Sequence, residues 1–241
     1  MKVLDLFSGI GGFSLGLEAA GMETIAFCEI DKKARLVLKK HWPNVPIFED
    51  VQKLKREEVG TVDLICGGFP CQDISLAGKG AGIEGKRSGL WWQFHRLINE
   101  IKPKWVIAEN VSALRSRGLD TVLRSLNEIG YDAEWHCIPA SAIGAKHTRD
   151  RIWIVAYPNS SRYSSQRHSI NQNWKTLIQE REIKSLFESS GQGRWSTEPC
   201  VGRMVDGVPR RMDRLRQLGN AVVPLIPELI GRAIMKENYE R

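Results

Sequence analysis

The chain has 241 residues, which is enough for one full catalytic domain with a small appendage but not for two domains of about 150 residues each. Hydrophobic residues make up 42% and charged residues 26% of the chain, proportions that are typical of a globular protein and argue against disorder. The formal net charge of +7 suits a polyanionic partner such as nucleic acid, although many basic proteins bind none.

The sequence shows no sign of membrane insertion or secretion. No run of about 18 apolar residues occurs, so no transmembrane helix is expected. Residues 1–6 lack the charged region, apolar region and cleavage site of a signal peptide, and we expect a cytoplasmic protein. The five cysteines are widely spaced without a Cys-x-x-Cys pair, which supports neither a disulfide framework nor a zinc site. Cys28, Cys66 and Cys137 lie in or beside apolar runs and are predicted to be buried structural thiols.

Apolar runs alternate with amphipathic stretches over the first part of the chain. The runs predict strands at residues 2–7, 24–28, 62–66, 105–108, 131–138 and 152–156. The stretches predict helices at residues 13–20, 32–41, 90–101 and 119–129. This alternation is typical of a doubly wound α/β fold with a mostly parallel sheet that is covered on both faces.

The alternation ends after Tyr157. Residues 158–169 are rich in Ser, Asn, Arg and Gln and are predicted to form a linker. Residues 174–187 have the pattern of one amphipathic helix, residues 189–216 have little periodicity, and residues 221–234 are predicted to form a final helix. We therefore expect a catalytic domain of residues 1–156 and 212–241, and a small irregular appendage of residues 157–211.

Three features near the first strands are suited to binding an adenosine-type cofactor. Glycines follow the first strand in residues 5–12 (DLFSGIGG), where they let the backbone approach a ligand, although a tight turn without a ligand is an equal alternative. Glu29 ends the second strand and can accept hydrogen bonds from ribose hydroxyls, or it is only a charge at a helix N-terminus. Asp50 can accept from an adenine amino group, or it caps the segment that begins at Val51.

Two further features follow later strands. Cys71 lies on the loop of residues 67–72 (GGFPCQ), at the carboxyl end of a predicted parallel strand where α/β sheets place ligands. It has no neighbouring histidine to act as its base, but its loop neighbours distinguish it from the buried cysteines. Glu109 and Asn110 end the strand that starts at Trp105, where a carboxylate can do acid chemistry, read the edge of a polar ring or simply make a turn.

A pair of arginines precedes the last predicted strand of the sheet. Arg149 and Arg151 lie on one face of an extended segment, together with His147. Two guanidinium groups on one side can hold a phosphate, a carboxylate or a ring oxygen. The alternative is an exposed edge in which the arginines pair with Asp150.

Taken in this order, the motifs resemble those of the cytosine carbon-5 DNA methyltransferases of bacteria and phages. The resemblance covers nearly the whole chain except about residues 157–195. It rests on the glycine motif, Glu29, Pro70-Cys71-Gln72, Glu109-Asn110-Val111, the Arg149 and Arg151 pair and Gly219-Asn220-Ala221-Val222. It implies a Rossmann-like methyltransferase sheet with a small irregular target-recognition region, S-adenosylmethionine as cofactor with S-adenosylhomocysteine as product, and no metal.

The resemblance also implies a catalytic mechanism. Cys71, as its thiolate, would attack carbon-6 of a flipped-out cytosine, and carbon-5 would then take the methyl group. Glu109 would hold or protonate ring nitrogen-3, and Asn110 would help to place Glu109. Arg149 and Arg151 would contact the oxygen of the base and keep the surroundings of Cys71 positive.

Binding residues carry over in the same way. The implied cofactor residues are Phe7, Ser8, Gly9, Ile10, Gly11, Gly12, Glu29, Ile30, Asp50, Val51, Pro70, Asn220, Ala221 and Val222, the last three of them on the final helix. The implied DNA contacts are Gln72, Ser75, Lys79 and Arg87 on a mobile loop, and Arg194, Arg203, Arg210 and Arg211 in or near the recognition region.

The sequence departs from the family pattern at two points. His147 stands where the family usually has glutamine, and hydrogen-bonding capacity is kept. The target-recognition region of residues 157–211 is short, which favours a short or loosely read site, or a dimer in place of the expected monomer.

The resemblance also implies partners and a location. The partner is double-stranded DNA, and a restriction-modification enzyme would also have a cognate endonuclease. The location is the cytoplasm of a bacterial or phage-infected cell, and no membrane is involved. The alternatives are a solitary or phage enzyme, a transfer-RNA cytosine-5 methyltransferase of the same fold, and a catalytically silent DNA-binding homologue.

Overall fold

The computed structural model describes residues 1–70, 88–145, 147–159 and 221–239. The strands are β1 (Lys2–Leu6), β2 (Glu23–Cys28), β3 (Ile47–Phe48), β4 (Leu64–Gly68), β5 (Trp105–Val111), β6 (Tyr131–Pro139) and β7 (Asp150–Pro158). The helices are α1 (Gly12–Ala19), α2 (Lys32–His41), α3 (Arg56–Val59), α4 (Trp91–Ile101), α5 (Leu119–Glu128) and α6 (Leu225–Tyr239). Short 3₁₀ turns span Ser88–Leu90, Ser112–Ser116 and Ala140–Ile143.

The strands of the described residues form one sheet in the order β3-β2-β1-β4-β5-β7-β6. Its first five strands are parallel, as the alternating pattern predicted. The chain winds outward from β1 through β2 to β3 and then returns to place β4 on the other side of β1. Such a reversal opens a crevice at the carboxyl ends of the strands, and this crevice is where ligands bind in open α/β sheets.

The last two strands run against this direction. β7 lies between β5 and β6 and pairs antiparallel with both of them. β6 and β7 are joined by a connection of about ten residues, which is compatible with antiparallel neighbours and shorter than most parallel crossovers. The prediction of a mostly parallel sheet is confirmed, and β7 is longer than predicted because it begins at Asp150 and continues to Pro158.

Apolar side chains cover both faces of the sheet, as predicted. Along β1, Leu4 and Leu6 face the cluster that α4 and α5 cover, and Val3 faces the opposite cluster, since successive side chains of a strand alternate between faces. The second cluster is closed by α1 and α6, which pack against each other. No helix of the described segments is long and apolar enough to cross a membrane.

The final helix begins later than the sequence predicted. We expected a helix from Ala221, but the structure has irregular backbone up to Pro224 and a helix from Leu225. Proline disfavours the helical conformation in the residue before it, while proline itself is tolerated in a first helical turn. Ala221 and Val222 therefore lie in an irregular approach to the helix rather than on it. The approach packs closely on α1, because a side chain at Gly16 would collide with the carbonyl oxygen of Pro224.

Candidate active site

A cavity of about 330 Å³ lies at the carboxyl ends of the central strands, within the size range of ligand pockets of roughly 300–1,000 Å³. Most of the predicted cofactor residues and the predicted acid and arginines line it together. These predicted residues are Phe7, Gly9, Ile10, Glu29, Ile30, Asp50, Val51, Pro70, Glu109, Asn110, Arg149 and Arg151. Residues separated by more than 140 positions in the chain thus meet in one crevice.

Other predicted residues lie elsewhere. Among the described cofactor candidates, those outside the cavity lining are Ser8, Gly11, Gly12, Ala221 and Val222. Cys71 and Asn220 lie outside the described residues, as do all the predicted DNA contacts: Gln72, Ser75, Lys79, Arg87, Arg194, Arg203, Arg210 and Arg211. The cavity also has lining residues that the sequence did not single out, such as Asp31, Ala34, Glu49, Gly68 and Phe69.

The glycine loop begins with an unusual backbone conformation. Phe7 has a φ of 53°, in the left-handed region that bulky residues rarely adopt, and it lines the cavity. The Oγ of Ser8 donates to the carbonyl oxygen of Asp5 at 2.6 Å and to that of Cys28 at 3.3 Å. Ser8 therefore ties β1 to β2 beneath the loop, which explains why its side chain is not in the cavity.

Glu29 is fixed at the edge of the cavity by two backbone amides. Its Oε2 accepts from the Gly9 N–H and its Oε1 from the Asp31 N–H, both at 2.7 Å. A carboxylate has about four acceptor positions, so each oxygen keeps capacity for a further donor such as a ribose hydroxyl. The alternative role, a charge at the start of α2, belongs to Asp31, whose side chain caps this helix by accepting from Lys33 and Ala34 N–H groups.

Asp50 caps a turn and lies in the lining of the cavity. Its Oδ1 accepts from the Gln52 N–H at 2.9 Å, so it caps the turn after β3, and it also lines the cavity. The turn is held from outside by Arg96 of α4, whose Nη2 donates to the carbonyl oxygens of Val51 at 2.9 Å and Leu54 at 3.0 Å. Arg96 thereby fixes the wall of the cavity that carries Asp50 and Val51.

The far wall of the cavity holds an acid and a guanidinium group. The Nε of Arg151 lies 2.9 Å from Oε1 of Glu109, whose side chain is 11% exposed. The β5–β7 register places Val111 opposite Arg151, and Glu109 lies two residues before Val111 on the same face. Burial raises the pKa of Glu109 above its ordinary value, while the nearby Arg151 and Arg149 act in the opposite direction.

Gly68 of β4 makes room for this acid. Gly68 pairs with Glu109 in the register of β4 and β5. A Cβ atom at Gly68 would lie 2.8 Å from Oε2 of Glu109, closer than real Cβ atoms approach other atoms. The absence of a side chain at Gly68 therefore leaves the space that the Glu109 carboxylate occupies, a role that the sequence pattern did not reveal.

Asn110 has a different structural role from the one expected. We expected Asn110 to help place Glu109, but neighbouring residues of a strand point to opposite faces. The Asn110 Nδ2 donates to the carbonyl oxygen of Phe69 at 3.1 Å, and its Oδ1 accepts from the Val111 N–H at 2.8 Å. Asn110 thus holds the backbone two residues before Cys71.

The other cysteines are mostly as predicted. Cys28 and Cys66 are buried, and burial raises the pKa of Cys28 to about 12 and that of Cys66 well above its ordinary value. Cys137 is only partly buried, so the prediction of full burial was wrong there. It belongs to β6, the outermost strand, which has a neighbour on one side only in the described sheet. The described segments contain no group of three or more His, Cys, Asp or Glu side chains arranged to hold a metal ion.

Comparison with known proteins places the chain in a family. The sequence profile described as "C-5 cytosine-specific DNA methylase" matches residues 1–202. The chain belongs to this family.

Individual relatives agree with the family match. The chain is 38% identical over 164 residues to the type II methyltransferase M2.BsuMI of Bacillus subtilis. The aligned region covers 65% of this chain and 42% of that protein. It is 30% identical over 223 residues to M1.ScrFI of Lactococcus lactis, covering 90% of this chain and 56% of that protein. The chain thus spans about half the length of the curated relatives that it matches.

The solved structure of the Entamoeba histolytica methyltransferase EhMeth matches this chain with a TM-score of 0.68 at 14% identity. The match covers 99% of this chain and 98% of the EhMeth chain. At this identity the likeness shows the fold alone. It agrees with the α/β methyltransferase fold that the sequence predicted.

Proposed function

We propose that the protein is a DNA (cytosine-5-)-methyltransferase that uses S-adenosylmethionine and a covalent Cys71 adduct. One observation carries the proposal: one cavity is lined by Glu29 and Asp50, which follow β2 and β3, and by Glu109 and Arg151, which belong to β5 and β7 on the other side of β1 in the sheet order. The first pair suits an adenosine cofactor, and the second suits the polar edge of a base. The family match supplies the reaction class.

The described residues fit the proposed cofactor. Glu29 has carboxylate oxygens with remaining acceptor capacity for the ribose hydroxyls. Phe7 and Ile30 line the same cavity and would flank the two faces of an adenine ring, and Asp50, which also lines it, would accept from the amino group of that ring. When bound there, S-adenosylmethionine supplies an electrophilic methyl group.

The base end of the cavity provides acid–base and electrostatic assistance. In the proposed reaction the Cys71 thiolate forms a bond to carbon-6 of cytosine, and the electron pair of the carbon-5–carbon-6 double bond moves toward carbon-5. Glu109, buried and with a raised pKa, donates a proton or a hydrogen bond to ring nitrogen-3. Arg149 and Arg151 hold the oxygen of the base and stabilise negative charge. Carbon-5 then takes the methyl group with that electron pair, and the bond between the methyl group and the cofactor sulfur breaks so that S-adenosylhomocysteine is left. Loss of the carbon-5 proton to a base reforms the carbon-5–carbon-6 double bond and expels the Cys71 thiolate, and any proton on nitrogen-3 returns to Glu109.

The remaining roles are also part of the proposal. The target is a cytosine flipped out of double-stranded DNA, because carbon-6 is inaccessible within the stack. DNA is contacted by the loop of residues 72–89 and by a target-recognition region of residues 157–211, which interrupts the catalytic domain of residues 1–156 and 212–241. We further propose a monomer in the bacterial or phage-infected cytoplasm, in which a cognate restriction endonuclease would be the partner.

Methyl transfer to DNA tests this function and its substrate together. Plasmid from cells that express the wild-type chain is expected to contain 5-methylcytosine at one sequence by bisulfite sequencing. The Cys71→Ala chain, expressed to the same level, is expected to leave the plasmid unmodified. Purified protein with labelled S-adenosylmethionine should prefer duplex DNA to transfer RNA. Transfer to transfer RNA alone would establish the RNA alternative, and binding of DNA without transfer to either would indicate a catalytically silent homologue.

A further inference from the structure

Trp42 lies directly behind the glycine loop without lining the cavity. It follows α2, and its six-membered ring faces Gly11, the N-cap of α1. A Cβ atom at Gly11 would lie 2.6 Å from the indole Cζ3 and 2.7 Å from Cη2. The backbone of the loop therefore rests on the indole ring, with no room between them for even one methyl group.

The indole ring is itself held in place from two sides. Its Nε1–H donates to the carboxylate of Glu18, at 2.8 Å to Oε1 and 2.9 Å to Oε2. The ring of Phe27 on β2 packs edge-on at a centroid distance of 5.2 Å. Glu18 belongs to α1, the helix that the glycine loop opens, so Trp42 joins α1 to β2 and to the end of α2.

Contacts on the other sides of the loop complete its support. Gly9 N–H is bonded to Glu29 at 2.7 Å, which links the loop to the proposed ribose site. At Gly12, a Cβ atom would lie 2.6 Å from the carbonyl oxygen of Val222. The loop is thus confined between Trp42 and the approach to α6, and Gly9 at its start is bonded to Glu29.

We propose that Trp42, held by Glu18, is a positioning residue for the cofactor: it sets the position of the Gly9–Gly12 loop and thereby the affinity for S-adenosylmethionine without touching this ligand. The inference rests on the proposed function for the identity of the ligand. The inference goes beyond the proposed function because it assigns part of the cofactor-binding free energy to a contact behind the pocket. Binding without chemistry is therefore the proper measurement.

The experiment measures the Kd of S-adenosylmethionine by calorimetry for the wild type, Trp42→Phe, Trp42→Leu and Glu18→Ala. Trp42→Leu is expected to raise Kd about tenfold. Trp42→Phe keeps an aromatic ring and Glu18→Ala keeps the indole, so each of these two is expected to raise Kd only about threefold. Glu18→Gln keeps an acceptor for the indole N–H and is expected to stay within twofold of the wild type. Trp135→Phe, on the partly exposed face of β6, is the matched control and should not change Kd.

Further measurements separate positioning from general destabilisation. At saturating S-adenosylmethionine, kcat of Trp42→Leu should stay within about twofold of the wild type while KM rises. In the double variant, the part of the Gly11→Ala loss that comes from collision with the indole should disappear beside Trp42→Leu, while the part that comes from the φ of 88° at Gly11 should remain. An unchanged Kd in a folded Trp42→Leu protein would overturn the inference, as would strictly additive losses. A wild type that binds no S-adenosylmethionine would instead refute the proposed function.

Discussion

Replacement of Gly68 by alanine perturbs the proposed acid without altering any ionisable group. The added Cβ would lie 2.8 Å from Oε2 of Glu109, whereas ordinary contact begins at 3.4 Å. The carboxylate must therefore retreat by about 0.6 Å. Gly68 is not among the residues with positive φ, so alanine meets no backbone restriction, and the effect is steric.

A displacement of about 1 Å in a catalytic group can lower the rate by about 100-fold. We therefore expect Gly68→Ala to lower kcat by roughly 10- to 100-fold. Overpacking of this kind typically lowers the free energy of unfolding by about 1–3 kcal/mol. Single-turnover transfer of labelled methyl groups measures the chemical step, and calorimetric binding checks that the Kd for the cofactor stays within about threefold of the wild type.

The matched background is Glu109→Asp, whose side chain is one methylene shorter and leaves room for the alanine. Gly68→Ala should lower the rate much less in that background than in the wild type. A Gly68→Ala protein with kcat within twofold of the wild type would refute the idea that Gly68 exists to place Glu109. An equal loss in both backgrounds would also refute it.

Two further predictions concern supports of the cavity, and a third concerns the buried carboxyl group of Asp5. Arg96→Lys loses the bonds from Nε to Gln93 and from Nη1 to Glu100 that aim Nη2 at the two carbonyl oxygens, so calorimetry should show S-adenosylmethionine binding weakened by about three- to tenfold; unchanged binding would contradict the role of Arg96. Asn110→Ala removes the bond to Phe69, and kcat should fall at least tenfold with little change in cofactor Kd; a normal single-turnover rate would show that this bond does not position the loop. Burial raises the pKa of Asp5 from 3.8 to about 7, so the folded state binds the carboxyl proton more tightly than the unfolded state does. The free energy of unfolding should therefore fall by on the order of 4 kcal/mol as pH rises from 4 to 7. Chemical denaturation should show that slope in the wild type and its loss in Asp5→Asn; an equal slope in both would assign it to other groups.

The sequence predicts the parts of the site that lie at strand ends. Glu29, Glu109 and the glycine loop each follow an apolar run, and the ends of parallel strands meet at one edge of a sheet. Residue type and position along the chain made each of them a candidate for ligand binding, and the resemblance to the family implied that they form one site. In the structure they line one cavity.

Other features depend on packing that no local pattern reports. Trp42 and Gly11 touch although 31 positions separate them, and Arg96 reaches Val51 across 45 positions. The direction of β7 was also hidden, because a short apolar run has the same composition in a parallel or an antiparallel strand. The start of α6 was misjudged even though Pro224 was visible, because the apolar pattern of residues 221–226 outweighed it.

The most direct test of the central proposal is a covalent trap on duplex DNA. Fluorine at carbon-5 cannot leave as a proton does, so a duplex library containing 5-fluorodeoxycytidine should hold the enzyme as a stable adduct. With S-adenosylmethionine present, we expect a denaturant-resistant complex whose mass spectrum places the nucleotide on the peptide containing Cys71. Cys71→Ser should give no such complex. Methyl transfer to ordinary DNA without an adduct on Cys71, or no transfer at all, would contradict the proposed mechanism.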